Sequence, residues 1–148
     1  MRSSMYKNIC VAIDLERDCQ NVIEQALVLA KANQANVKVV YVSQMVVVDT
    51  TFDMGAGNVI TPGDCDINKQ RMDEVVNYLT TNGVDASGEL VKGVNIANTL
   101  LDDVYNEYHY DLLICGSNNK TEFAEFFLGS VSSKIADKAQ SDVFIVKH

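Results

Sequence analysis

Proline is almost missing from this chain: there is one, Pro62, in 148 residues, with 8 glycines, no tryptophan and 2 histidines. Such a composition excludes collagen-like and low-complexity classes. Positive charge is also scarce, 12 Lys and Arg against 20 Asp and Glu, for a net charge of -8. The surface as a whole is therefore not the polyanion-binding face that DNA or RNA requires, and nucleic acid is excluded as the main partner. Any phosphate-bearing ligand must be held by a local device. Long apolar runs are lacking too. Pieces such as Met45 to Val48 and Leu112 to Cys115 are far shorter than the ~20 residues of a membrane helix. No membrane span is expected, and the opening MRSSMYK is followed by no apolar core of a secretory signal. A cytoplasmic location is the expectation. Cys10, Cys19, Cys65 and Cys115 are spaced too widely for a CxxC pair, and two of them lie inside apolar runs. They read as free thiols of a reducing compartment. With His109 and His148 as the only imidazoles and no His-Cys cluster, no zinc site is expected.

What the chain does have is a regular change of period. A hydrophobic fraction of 47% and a charged fraction of 22% describe an ordinary globule, and the length suits one domain over residues 1–148. Asn8 to Asp14 (NICVAID) is a β-branched apolar run, the pattern of a strand buried on both faces. Val22, Ile23, Ala26, Leu27 and Ala30 then follow helical spacing, from near Asp18 to between Ala32 and Gln34. Val37 to Val42 (VKVVYV) is a strand again, so residues 8–42 read as one right-handed βαβ unit. From Gln44 to Gly63 no period survives, and the segment reads as a long loop, either functional or a simple insertion. Asp64 to Leu79 is a helix stopped by Asn82-Gly83, and residues 84–91 alternate as an exposed or edge strand. Ile96, Ala97, Leu100, Leu101, Val104, Tyr105 and Tyr108 mark the cleanest amphipathic helix. Asp111 to Gly116 (DLLICG) is a second buried strand, Ser130 to Ala139 a short helix and Val143 to Val146 a terminal strand. This βα alternation demands a mostly parallel sheet covered by helices on both faces.

Ligands of open parallel sheets bind beyond the carboxyl ends of the strands, where strand order reverses. Three candidates fall there: Asp14 after the first strand, Val42-Ser43 at the end of the second, and Gly116-Ser117-Asn118-Asn119 after the fourth. Asp14 suits a ribose hydroxyl, a base edge or a metal-bound water, and equally a turn cap. A second device is Gly129-Ser130-Val131-Ser132 at the start of the last helix. The unpaired N–H groups and positive dipole end of a helix hold an anion without net positive charge. Gly129 lets a phosphate approach the backbone, and Ser130 and Ser132 offer hydroxyls. Plain capping accounts for a Gly-Ser pair taken alone.

Taken together, Gly116-x2-Asn119-x9-Gly129-Ser130 resembles the Gly-x2-Gly-x9-Gly-Ser/Thr signature of the universal stress protein family, nucleotide-binding branch, and GSNNKTEFAEFFLGSV is similar to that branch in its surroundings. The resemblance extends to NICVAID, YVS, YDLLICGS and SDVFIVKH, nearly the whole chain apart from Gln44 to Gly63. It implies a doubly wound α/β fold, a five-stranded parallel sheet of order 3-2-1-4-5, a homodimer, and an adenine nucleotide at the switch point. On this resemblance Asp14 lies by the nucleoside, Val42 contacts adenine, Gly116 opens the loop, and Gly129, Ser130, Val131 and Ser132 hold ribose and phosphates. The ligand implied is ATP, or AMP or ADP, with a divalent cation, Mg or Mn. Two positions depart from the pattern. Asn119 replaces the second Gly, and Asn tolerates the left-handed conformation better than other non-glycine residues. Glu16, Arg17 and Cys19 stand where small hydroxyl residues are usual, and Glu16 adds negative charge that Lys120 and Lys134 offset.

Catalytic motifs are absent. There is no Gly-x4-Gly-Lys-Ser/Thr loop, no Gly-x-Ser-x-Gly elbow, no His-Glu-x-x-His and no Rossmann glycine triplet. Cys19 reads as a structural thiol, and Glu122 and Glu125 as solvated carboxylates, so no catalytic base is assigned. Three functions follow: a nucleotide-binding stress-response dimer, which is favoured; an interaction module of the same fold with an empty pocket; and a slow ATPase. The terminal strand, Asp142 to Lys147, is apolar, lacks proline and is expected at a sheet edge, where it would pair with its twin.

Overall fold

Two strands, β1 (Asn8–Ala12) and β6 (Leu112–Gly116), are so uniformly apolar that they must be covered on both faces, and they lie side by side in the middle of the sheet. The computed structural model describes residues 5–15, 19–48, 58–60, 66–117 and 130–147. In chain order the elements are β1, α1 (Gln20–Asn33), β2 (Asn36–Gln44), β3 (Val46–Val48), β4 (Asn58–Ile60), α2 (Asp66–Thr81) and β5 (Asp85–Gly93). A continuous helical stretch follows, formed by α3 (Ile96–Asn98), a π-helical Thr99–Val104 and α4 (Tyr105–Tyr108). It is succeeded by β6, α5 (Ser130–Lys138) and β7 (Asp142–Val146). The main sheet has five strands in the order β5-β2-β1-β6-β7, all parallel, which is the 3-2-1-4-5 order expected.

Alternation along the strands divides the core into two layers. On one face Ile9, Val11, Val37, Val39, Leu112 and Ile114 pack against Val22, Ile23, Ala26 and Ala30 of α1 and Met72 and Leu79 of α2. On the other, Cys10, Val40, Val42, Leu113 and Cys115 pack against Leu100, Leu101 and Val104 of the π-helical stretch and Ile135 of α5. Burying such side chains is worth ~1.5–3 kcal/mol each, which is why the central strands tolerate no polar residue on either side.

Both long helices end in the same device. In α2 the N–H of Val84 bonds the carbonyl of Leu79 at 3.0 Å and that of Gly83 bonds Thr80 at 3.1 Å, with Gly83 at φ 92. This is a Schellman cap, and the left-handed residue it needs is the glycine of Asn82-Gly83. In α1 Ala35 N–H bonds Ala30 at 3.0 Å, but the left-handed residue is Gln34, at φ 52.

Two regions differ from the sequence reading. The stretch from Gln44 to Gly63, read as a loop without period, contains a second sheet in which β3 and β4 pair antiparallel, Val47 opposite Val59. Strands of three residues are too short to display a period, so the pattern could not announce them. The amphipathic helix of residues 96–108 widens into a π-helix in its middle. There the hydroxyl of Tyr110, 2% exposed, donates to the carbonyl of Leu100 at 2.7 Å, giving a backbone group inside the wide turn an external partner. Among the described residues no helix is long and apolar enough to cross a membrane.

Candidate functional site

The chain runs from β1 through α1 to β2 on one side of the sheet and returns to β6 on the other, so strand order reverses between β1 and β6. Their carboxyl ends form the switch point, the place where open parallel sheets generally take their ligands. Asp14 is half-buried two residues beyond β1, and Ile13 N–H bonds Val40 O at 3.0 Å, which holds this segment beside β2. Val42 lies in β2 with its side chain 6% exposed, inside the layer formed with the π-helical stretch. Gly116 ends β6, and Ser117 prolongs the ladder through its N–H to Val146 O at 2.9 Å.

The last helix is tied to this edge. Ser130 is the first residue of α5, Val131 packs on the second core layer, and Ser132 is 1% exposed. The hydroxyl of Ser132 donates to the carbonyl of Gly116 at 2.9 Å. The bond fixes the amino end of α5 against the carboxyl end of β6, so the positive end of the helix dipole stands over the switch point. It also engages the only proton that Ser132 has to give. Asn119 and Gly129, together with Glu16, Lys120, Glu122 and Glu125, lie outside the described residues. The structure thus brings Asp14, Val42, Gly116, Ser130, Val131 and Ser132 to one end of the sheet.

One group at this edge was not singled out by the sequence, and a second was named only as part of the Gly116-Ser117-Asn118-Asn119 segment. Arg71, on α2, donates from Nη1 to the carbonyl of Leu15 at 3.0 Å, placing a guanidinium at the β1–α1 turn. Its sequence neighbours carry no hint of this, because the contact spans 56 residues. Ser117 is 2% exposed, and its Oγ has no hydrogen-bond partner among the described residues. The orphaned hydroxyl could be found only from the folded chain.

Two of the thiols, Cys10 and Cys115, are buried in the core. Cys10, Cys19 and Cys115 form no disulfide, while Cys65 lies outside the described residues. Burial pushes the Cys10 thiol strongly up and that of Cys115 to about 11. Both therefore stay protonated and inert at neutral pH. Among the described residues no group of three or more His, Cys, Asp or Glu is placed to hold a metal ion.

The comparisons with known proteins agree with this architecture. The family model described as universal stress protein family matches residues 5–147. A universal stress protein of Synechocystis is 25% identical over 154 residues, covering 97% of this chain and 99% of its own length. Among solved structures, a universal stress protein from Archaeoglobus fulgidus in complex with dAMP superposes with a TM-score of 0.66 at 19% identity, covering 97% of this chain and 99% of its own. A universal stress protein family protein from Arabidopsis thaliana with AMP bound gives a TM-score of 0.64 at 16% identity, with 96% and 92% covered. With the family model spanning all but the ends of the chain, and the parallel sheet of order 3-2-1-4-5 beneath it, this protein belongs to the universal stress protein family.

Proposed function

We propose that this chain binds an adenine nucleotide, ATP, at the switch point and acts as a regulatory or signalling homodimer of the stress response in the cytoplasm. The observation that carries the reading is the bond from Ser132 to Gly116, which sets the amino end of a nine-residue helix directly over the carboxyl end of β6. A helix end so placed supplies N–H donors and positive potential to a phosphate, and needs no basic surface. The acidic composition is thereby reconciled with an anionic ligand. Asp14 lies two residues beyond β1, the strand that pairs with β6, and the two similar proteins with dAMP and AMP support the ligand class. A divalent cation, Mg or Mn, would be carried on the phosphate oxygens, and Asp14 is the carboxylate assigned to the site. Bound ATP would favour one conformation or dimer state and so present a distinct surface to a protein partner.

The test is to denature natively purified protein and identify the released nucleotide by mass spectrometry. ATP supports the binding reading, whereas AMP or ADP points to hydrolysis. Absence of nucleotide, joined to absence of heat on calorimetric titration with ATP, leaves the interaction module with an empty pocket.

A further inference from the structure

A hydroxyl buried without a partner is costly, on the order of 1–3 kcal/mol, and well-folded proteins carry few of them. Ser117 Oγ is such a group: the residue is 2% exposed, and no donor or acceptor among the described residues meets its hydroxyl. Its surroundings give the orphan a direction. Along β6, Leu112 and Ile114 face the α1–α2 layer, while Leu113 and Cys115 face the layer of the π-helical stretch and α5. Because Ser117 N–H continues the ladder to Val146 O at 2.9 Å, the alternation of a strand puts its side chain on the α5 side. That is the side on which Ser132, in the first turn of α5, bonds the carbonyl of Gly116 at 2.9 Å. The orphan therefore lies beside the amino end of α5, where N–H groups and the helix dipole already favour an anion. One hydroxyl of the edge, that of Ser132, is closed by an internal bond. The other, that of Ser117, is buried and meets no partner among the described residues.

We infer that Ser117 is a direct phosphate ligand: its Oγ donates to an oxygen of the nucleotide phosphates held at the amino end of α5, and Ser132 shapes the cradle through Gly116 instead of touching the ligand. The inference rests on the nucleotide reading above and adds a residue to it. Its chemistry is that of a charge-assisted hydrogen bond in a water-poor setting, roughly twice as strong as a neutral one. It also explains why a hydroxyl is left unsatisfied without ligand: the partner arrives with the phosphate.

Ser117→Ala tests this, titrated with ATP and with adenosine, and melted in the absence of ligand. Loss of a hydrogen bond to a charged group lowers ATP affinity by about tenfold or more. Adenosine, which has no phosphate, binds the variant as it binds the wild type. The ligand-free variant melts at or above the wild-type temperature, because no internal bond is lost and an unsatisfied group is removed. A clear drop in the melting temperature, or an equal loss of affinity for ATP and adenosine, would mean that the hydroxyl serves the fold, and overturns the inference. Equal ATP affinity in variant and wild type overturns it while leaving the nucleotide reading intact. Absence of ATP binding by the wild type removes the reading itself, and this inference with it.

Discussion

At the scale of single residues, close approach and burial set the strongest constraints. A side chain at Gly93 would place its Cβ 2.0 Å from Thr99 Oγ1 and 3.0 Å from Thr99 Cβ. Thr99 cannot yield easily, since its hydroxyl donates to Asn95 O at 2.8 Å at the entry to the π-helical stretch. Gly93→Ala should therefore cost about 1–3 kcal/mol by overpacking, read as a fall in the midpoint of chemical denaturation with an unchanged slope. The buried thiols give a pH dependence whose sign is fixed. Cys10 and Cys115 hold their protons more tightly in the folded chain than the ordinary value of 9.0, so the unfolded chain loses them first as pH rises. Their contribution to stability is complete below pH 9 and is lost above it, until the folded thiol of Cys115 titrates at about 11. Each thiol adds a slope of ~1.4 kcal/mol per pH unit in that window. Urea unfolding between pH 8 and 10.5 measures it, and Cys115→Ala should make the decline shallower.

At the scale of elements, the sequence was most readable where physics leaves few options. Buried strands such as NICVA and LLICG must be apolar on both faces, and both formed where they were read, although β1 ends at Ala12, two residues short of Asp14, and β6 begins at Leu112, one after Asp111. The stop of α2 was legible because Gly83 adopts the positive φ of 92 that its cap demands. The stop of α1 was placed to within a residue or so by period alone, although Gln34 gives no such signal. The β3–β4 pair was illegible, being two strands of three residues joined across a long interval. The π-helical stretch was hidden for another reason. Leu100, Leu101 and Val104 satisfy an ordinary helical period, and the partner of the Leu100 carbonyl, Tyr110, lies beyond the helix end. At the site, Asp14, Gly116 and Ser130 follow from spacing and the switch-point rule. Arg71 and the orphaned hydroxyl of Ser117 depend on contacts and burial that exist only after folding.

At the scale of the molecule, a parallel sheet of five strands leaves two edges, β5 and β7. β5 pairs with β2 along nine residues, and Lys38 of β2 meets Glu89 at 3.2 Å, the kind of charge that discourages further pairing at an edge. β7 is different: Phe144 is 38% exposed, Val143 and Ile145 are half-buried, and the run DVFIV has one charged residue, Asp142. An apolar edge of this kind is the surface proposed to pair with a second copy. Sedimentation at micromolar concentration should show a dimer for the wild type and a monomer for Phe144→Lys with unchanged circular dichroism, and a monomeric wild type would remove the assignment. Each copy in such a dimer carries a net charge of -8, and the helix end over β6 is the local exception that admits a phosphate. The most direct test of that exception is calorimetric titration of ATP into nucleotide-free wild type, Gly129→Val and Ser130→Asp. The account predicts saturable binding by the wild type and at least about a tenfold loss in both variants, the loss of one charge-assisted anchor being enough for that. Undiminished affinity in the two variants, with folding intact, would contradict it.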